Sequence, residues 1–175
     1  TNGIDERFCT GISSDYEKFE KWAETVPYTL RNPLYHWTHL ELQRYFNIDK
    51  LLTQGTARGI YDETSAKLME KDFSVRNLLR KMKVELVCTT DDPIDTLEYH
   101  KKIREDQFEI KIVPAWRPDK VLALDDLAEF NKYLDKLALS AGIEISQLDD
   151  LLEALRIRHD YFHQQGCRLS DHGLD

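Results

Sequence analysis

Three short polar clusters follow apolar, β-branched runs of the sequence. They are Thr90-Asp91-Asp92, Trp116-Arg117-Pro118-Asp119 and Ser170-Asp171-His172. The guanidinium fork of Arg117 can pair with both oxygens of a carboxylate. His172 could act as a general base, a proton carrier or a metal ligand, and Asp91 could serve as an acid or a base. If the three side chains meet, these residue types could form a site for a carboxylate-bearing ligand.

The same clusters also allow a structural interpretation. Asp92 would begin a helix, Arg117 would pair with Asp119, and His172 would be exposed. Spacing alone leaves both interpretations open. The difference between them is whether Asp91, Arg117 and His172 meet at one place in the fold.

The elements of the second half of the chain favour such a meeting. Strands are predicted at residues 84–90, 108–114 and 167–170, and helices at 94–104, 125–140 and 147–165, the helix of 125–140 ending near Gly142. This order predicts an α/β fold, a parallel sheet with right-handed crossovers. The carboxyl ends of parallel strands share one edge, where ligands bind. About three strands cannot close a barrel, but they could be three of the eight in a TIM barrel.

The first half of the chain reads as helical. We expect Asp15 to cap one helix, which Pro27 interrupts, and Asn32 to precede a helix that begins at Pro33. Ser74 is expected to cap a last short helix. The predicted organisation is a helical region at residues 1–83, followed by a βαβαβ portion at 84–175.

Composition excludes several classes of function. A net charge of −8 and a pI of about 5.3 argue against nucleic-acid binding. No apolar run approaches the ~20 residues that cross a bilayer, and no signal peptide is recognised, so we expect a cytoplasmic protein without a membrane contact. The three cysteines are far apart and read as free thiols in a reducing compartment.

Two pairs of histidines have spacings that could hold a metal. His36 and His39 are three residues apart and lack the Glu of a His-Glu-x-x-His motif, which favours packing or capping. His159 and His163 are four apart, but their helix is rich in Lys, Arg and Glu and offers no third ligand nearby. We therefore predict no metal site within this chain.

Four longer segments resemble successive segments of uronate (glucuronate) isomerases, in the same order and with similar spacing. They are Arg31-Asn-Pro-Leu-Tyr-His-Trp-Thr-His-Leu-Glu-Leu-Gln-Arg-Tyr-Phe46, Val87-Cys-Thr-Thr-Asp-Asp-Pro93, Val113-Pro-Ala-Trp-Arg-Pro-Asp-Lys120 and Cys167-Arg-Leu-Ser-Asp-His-Gly173. The resemblance covers essentially the whole chain. It implies the amidohydrolase superfamily and a distorted TIM barrel with a helical insertion. The implied activity interconverts D-glucuronate with D-fructuronate, and D-galacturonate with D-tagaturonate, in carbohydrate (glucuronate) catabolism.

Carried over to this sequence, the resemblance implies that Arg117 binds the substrate carboxylate and that His172 lies at a barrel strand end beside the metal or the reacting carbons. Together with the polar clusters at the strand ends, we predict Arg117 and Asp91 as substrate-binding residues and His172 as the catalytic residue. The helical half would be the insertion that walls the site. A divalent cation, expected to be zinc, would polarise the substrate oxygens while a proton passes between C2 and C1 through an enediolate.

The resemblance also implies that the site is incomplete here. The family's His-x-His metal pair and its loop His-Tyr pair would lie upstream of residue 1, and its metal-binding Asp downstream of residue 175. We therefore interpret the chain as an internal fragment, inactive alone, with no complete metal site and with open sheet edges that lead to self-association. Two alternatives are a metal-dependent hydrolase of the amidohydrolase type and a non-catalytic helical interaction module.

Overall fold

A computed structural model describes residues 3–173 of the chain. The chain forms two compact units, Thr1–Lys83 and Val84–Asp175. In the first unit, α-helices occupy Asp15–Thr25 (α1), Pro33–Phe46 (α2), Ala57–Leu68 (α3) and Val75–Lys81 (α4). In the second, strands occupy Leu86–Asp91 (β1) and Lys111–Trp116 (β2), and helices Glu98–Glu105 (α5), Leu127–Ala141 (α6) and Leu148–Gln164 (α7). The assignment of these units to an insertion and a barrel portion stays a prediction.

Helices α1, α2 and α4 begin at side chains that satisfy their free amides, and Ser74 caps α4 as expected. The N-cap of α1 is Ser14 and not Asp15, because Ser14 and Glu17 form a reciprocal capping box. Asn32 caps α2 as expected, with Pro33 as the first helical residue. Asn47, at a φ of 54°, ends that helix in the left-handed conformation.

The core of the first unit lies between α1, α2, α3 and the segment after α2. Its buried side chains are Ala23, Val26, Leu42, Ile48, Leu52, Ala57 and Ile60. His39 ties the segment after α2 to this core. Its Nδ1 lies 2.7 Å from the carbonyl oxygen of Tyr35, and its Nε2 accepts a 3.0 Å bond from the amide of Leu52. Both ring nitrogens of His39 are therefore engaged in hydrogen bonds.

In the second unit β1 and β2 are parallel neighbours joined through α5. The register pairs Leu86 with Lys111 and Asp91 with Trp116. Compared with the predicted strands at 84–90 and 108–114, β1 begins two residues later and β2 three residues later. Both strands also end later than predicted. The pairing continues through Asp91, whose carbonyl accepts a 3.0 Å bond from the amide of Arg117. Asp91 and Trp116 are therefore the last residues of their strands, and Arg117 follows directly.

The third predicted strand, residues 167–170, is reduced to a single parallel bridge between Ser170 and Trp116. Trp116 donates to the carbonyl of Leu169 at 3.0 Å and accepts from the amide of Asp171 at 2.9 Å. Cys167 does not pair with β2, because its amide donates to the carbonyl of Phe162 at the end of α7. The sheet within residues 3–173 is thus two-stranded, with one further parallel segment attached by a bridge.

The helix after β1 begins later than residue 94 because the intervening loop is fixed by a distant side chain. Arg158 of α7 is buried, and it donates to the carbonyls of Pro93 at 2.7 Å, Asp95 at 2.8 Å and Ser140 at 3.1 Å. The loop then enters α5 through Leu97, whose φ is 54°. Burial lowers the pKa of the Arg158 guanidinium.

Helices α6 and α7 pack against each other and contribute to two core clusters of the second unit. One cluster joins Tyr133, Leu137 and Ala154, and another joins Leu97, Trp116, Phe162 and Cys167. Gly142, at a φ of 71°, ends α6 as predicted. Within residues 3–173, no helix has the length and apolar character that crossing a bilayer requires.

Candidate active site

The ends of β1, β2 and the bridged segment lie level with one another. Asp91 and Ser170 are both paired with Trp116, from its two sides. The residues that follow, Arg117 after β2 and Asp171 and His172 after the bridge, therefore emerge at the carboxyl edge of the sheet. This is the edge at which parallel α/β folds bind their ligands.

Arg117 forms an ion pair with Asp171, through Nη2 and Oδ2. Thr90 donates its hydroxyl to the same carboxylate oxygen at 3.2 Å. The partner of Arg117 is thus Asp171, and not Asp119 as the structural interpretation supposed. Both ionic side chains remain more than a third exposed. The guanidinium is therefore held in place yet reachable from solvent, as a group that binds a carboxylate must be.

His172 forms a second pair across the same two segments. Its Nδ1 lies 2.8 Å from Oδ1 of Asp119, and Oδ2 of Asp119 accepts from the amide of Gly173 at 2.5 Å. These two bonds, first that from Gly173 and then that from His172, lower the pKa of the Asp119 carboxyl. Asp119 therefore stays ionised near neutral pH, and its carboxylate faces the exposed imidazole of His172.

Asp91 shares the edge but faces a different environment. Its Oδ2 accepts a 2.6 Å bond from the hydroxyl of Thr89, which also lies 2.7 Å from Nε2 of the buried His100 in α5. Side chains alternate between the faces of a strand, so Thr89 and Asp91 lie on one face and Thr90 on the other. Thr90 contacts Asp171. The structure therefore brings Arg117 and His172 to one cluster and directs Asp91 towards α5, which does not favour the predicted substrate contact of Asp91.

Asp92 supports the loop after β1. Its Oδ1 accepts from the hydroxyl of Tyr133 at 2.9 Å and from the amide of Ile94 at 3.1 Å, and Lys120 lies 3.1 Å from its other oxygen. Burial, together with the charge of Asp92, raises the pKa of Tyr133. Asp92 thus caps a turn, while the helix itself begins later.

The two histidine pairs do not gather ligands. Both nitrogens of His39 are hydrogen-bonded, and Nδ1 of His163 lies 3.2 Å from the guanidinium of Arg168. The ring of His159 packs edge-on against Trp116. Within residues 3–173, no three His, Cys, Asp or Glu side chains are close enough to hold a metal ion.

Reasoning from the sequence named Arg117 and His172 as candidates but did not identify the residues to which they are paired. Asp171, Thr90 and Asp119 were each part of a polar cluster, yet nothing in their local spacing identifies their partners. Thr90 and Asp171 are 81 positions apart, and Asp119 and His172 are 53 apart. Only the parallel register brings these pairs together.

The comparisons with known proteins agree on one family. A family model described as glucuronate isomerase matches residues 1–175. The uronate isomerase of Bacteroides thetaiotaomicron is 60% identical over 176 residues, which cover 100% of this chain and 38% of that protein. The uronate isomerase of Phocaeicola vulgatus is 58% identical with the same coverage. The chain thus spans about 38% of the length of these curated relatives.

Two solved structures resemble the chain. The crystal structure of uronate isomerase from Thermotoga maritima superposes with a TM-score of 0.89 at 41% identity, covering 97% of this chain and 37% of that one. The glucuronate isomerase of Caulobacter crescentus gives a TM-score of 0.85 at 26% identity, over 92% of this chain and 33% of that one. With the match of the family model over residues 1–175, these likenesses establish that the chain belongs to the glucuronate isomerase family.

Proposed function

We propose that this chain is a section of a uronate isomerase and that it contributes Arg117 and His172 to the active site. The enzyme would interconvert D-glucuronate with D-fructuronate, and D-galacturonate with D-tagaturonate. The second unit would be part of a TIM barrel and the first unit a helical insertion. The observation that carries the proposal is the cluster of Arg117, Asp171, His172 and Asp119 at the carboxyl edge of the sheet.

The chemistry of an aldose–ketose isomerisation assigns a task to each side chain. Arg117 holds the carboxylate of the uronate, so that binding energy fixes the reacting carbons at the other end. His172 accepts a proton at one stage and returns it at the next, while hydrogen moves between C2 and C1. The isomerisation neither adds atoms to the substrate nor removes any. The residues of this chain therefore need only to bind and orient the substrate and to exchange a proton with it.

A divalent cation would stabilise the developing charge on the substrate oxygens in the complete enzyme. A catalytic zinc requires about three protein ligands. The described residues do not provide such a set, and Nδ1 of His172 is already occupied by Asp119. The residues present therefore do not fit a complete metal site, and no step of the proposal passes through a metal.

The remaining parts of the proposal concern the surroundings of the enzyme. Its partner would be a small-molecule uronate, with no nucleic acid or membrane involved, and its location would be the cytoplasm. The hydrolase and the helical interaction module are not favoured, since the matching relatives are named as isomerases.

Without the rest of the barrel, the chain would self-associate through its sheet, where Leu86 and Leu169 are each half exposed.

An isomerase assay tests the function. The complete enzyme is expected to convert D-glucuronate, and the 175-residue chain alone is expected to show no turnover, because residues 3–173 provide no full set of metal ligands. A panel of esters and amides serves as the control for hydrolase activity. Hydrolysis without isomerisation would reject the proposed reaction. Turnover by the chain alone would reject the incomplete site.

Light scattering on the purified chain tests the proposed association. We expect a mass above that of a 20.6 kDa monomer, because, in the part of the chain that the structure describes, the outer edge of β1 pairs with no strand and Leu86 and Leu169 are exposed. A Leu86→Lys, Leu169→Lys variant should shift the mass towards the monomer, since charges on an exposed face oppose pairing. A monodisperse monomer for the unmodified chain would reject the association.

A further inference from the structure

The pair formed by Asp119 and His172 has a consequence for the tautomer of the imidazole. An ionised carboxylate has only acceptors, so a hydrogen bond between Oδ1 of Asp119 and Nδ1 of His172 requires the proton to be on Nδ1. The second oxygen of Asp119 is already engaged by the amide of Gly173. Asp119 is therefore fixed by the backbone on one side and fixes the imidazole on the other.

The neighbouring charges support this arrangement. Arg117 also acts on Asp119 and favours its ionised form, while the ion pair between Arg117 and Asp171 holds the adjacent residue of the 171–173 segment. The side chain of Asp119 is one-third exposed and that of His172 is 57% exposed. In the neutral imidazole, a proton on Nδ1 that faces Asp119 leaves the lone pair on Nε2.

We propose that Asp119 is a positioning residue for His172: it holds the imidazole as its Nδ1–H tautomer and so leaves the lone pair of Nε2 free to accept a proton. This inference rests on the proposed function, and it adds a residue to which the family resemblance gave no role. Asp119 does not itself touch the substrate. Its effect is to set which nitrogen of His172 can act as the base.

The Asp119→Asn substitution makes the inference testable. An asparagine has one acceptor oxygen where aspartate has two. If that oxygen keeps its bond with the Gly173 amide, the NH₂ group faces Nδ1 of His172 and forces the proton to Nε2. The base would then present a proton where a lone pair is needed. The Asp125→Asn substitution is a matched control, because Asp125 is exposed and its carboxylate has no part in this pair.

Two readouts test the proposal. In nitrogen-15 spectra of the chain's histidine rings, recorded where His172 is neutral, we expect the Nδ1–H tautomer in the unmodified chain and in Asp125→Asn. We expect a shift towards Nε2–H in Asp119→Asn. In the complete isomerase, Asp119→Asn should lower kcat about tenfold with little change in KM, a part of the 10²- to 10⁴-fold that acid–base catalysis contributes. Asp119→Glu, which restores both acceptors, should recover part of kcat.

The outcomes separate the two proposals. An Nε2–H tautomer in the unmodified chain would overturn the role of Asp119, and so would a loss of kcat in Asp119→Asn with an unchanged tautomer. If the complete enzyme fails to isomerise any uronate, the proposed function falls, and the tautomer measurement still decides whether Asp119 orients His172. If the Asp119→Asn chain does not fold, the tautomer of His172 in the unmodified chain decides the question.

Discussion

Replacing Arg117 by lysine is expected to lower kcat/KM for D-glucuronate in the complete isomerase by about tenfold to a hundredfold. Lysine keeps the positive charge but loses the planar fork that pairs with both oxygens of a carboxylate. Losing a charged hydrogen bond of this kind costs on the order of 1.5–3 kcal/mol. Steady-state kinetics on the purified variant measure the effect.

A matched control is available on α7. Arg156 is exposed and pairs with Glu153 and Asp160 on its own helix, so Arg156→Lys should leave kcat/KM within about twofold of the unmodified enzyme. The thermal midpoints of both variants should remain close to that of the parent. Unchanged kinetics for Arg117→Lys would remove Arg117 from substrate binding, whatever the behaviour of the control.

The Phe162→Ala substitution is expected to destabilise the second unit by about 3–5 kcal/mol. Phe162 is fully buried, and its ring packs edge-on against Trp116 with 5.0 Å between centroids. Truncation removes the transfer free energy of the ring and leaves a cavity that the neighbouring side chains fill only in part. Because Trp116 is the last residue of β2, the loss should extend to the strand that directly precedes Arg117.

Native-state hydrogen exchange can measure this loss in one unit at a time. Amides of β1 and β2 should lose about a hundredfold or more of their protection, since each 1.36 kcal/mol corresponds to a factor of ten. Leu152→Ala, on the exposed side of the same helix, should change protection little, and Phe162→Leu should cost less than Phe162→Ala. Unaltered protection of β2 in the alanine variant would show that Phe162 does not support the strand.

Local signals in the sequence predicted several element boundaries correctly. Asn32 and Pro33 begin α2, and Gly142 ends α6, because capping depends on residues only a few positions apart. Ser14 was missed in favour of Asp15, its neighbour, since both residue types are good caps. Errors of one residue at a helix end are expected when two cap residues adjoin.

The strands were harder to delimit because their ends depend on pairing. The predicted strands stop before Asp91 and Trp116, yet both residues are paired in the parallel ladder. The residues 167–170 look strand-like, but the end of α7 uses the amide of Cys167. Neither fact can be read from the composition of the segment itself, since each depends on a partner distant in the sequence.

The candidate site shows the same division. The position of Arg117 and His172 after predicted strands followed from the alternation of strands and helices. Their pairing with Asp171 and Asp119, and the turn of Asp91 towards His100, depend on which face each side chain takes and on strand register. Those features arise only once the strands are aligned.

Arg158 links the outer helices to the rim of the sheet. It is a buried cation whose hydrogen-bond acceptors are three main-chain carbonyls, one in the last turn of α6 and two in the loop that leaves β1. The negative end of the α6 dipole thus helps to neutralise a charge that also holds the loop in shape. Substitutions in α6 or α7 would therefore be transmitted to the loop that leaves β1, so these distant helices are expected to evolve under the constraint of the candidate site at the carboxyl edge of the sheet.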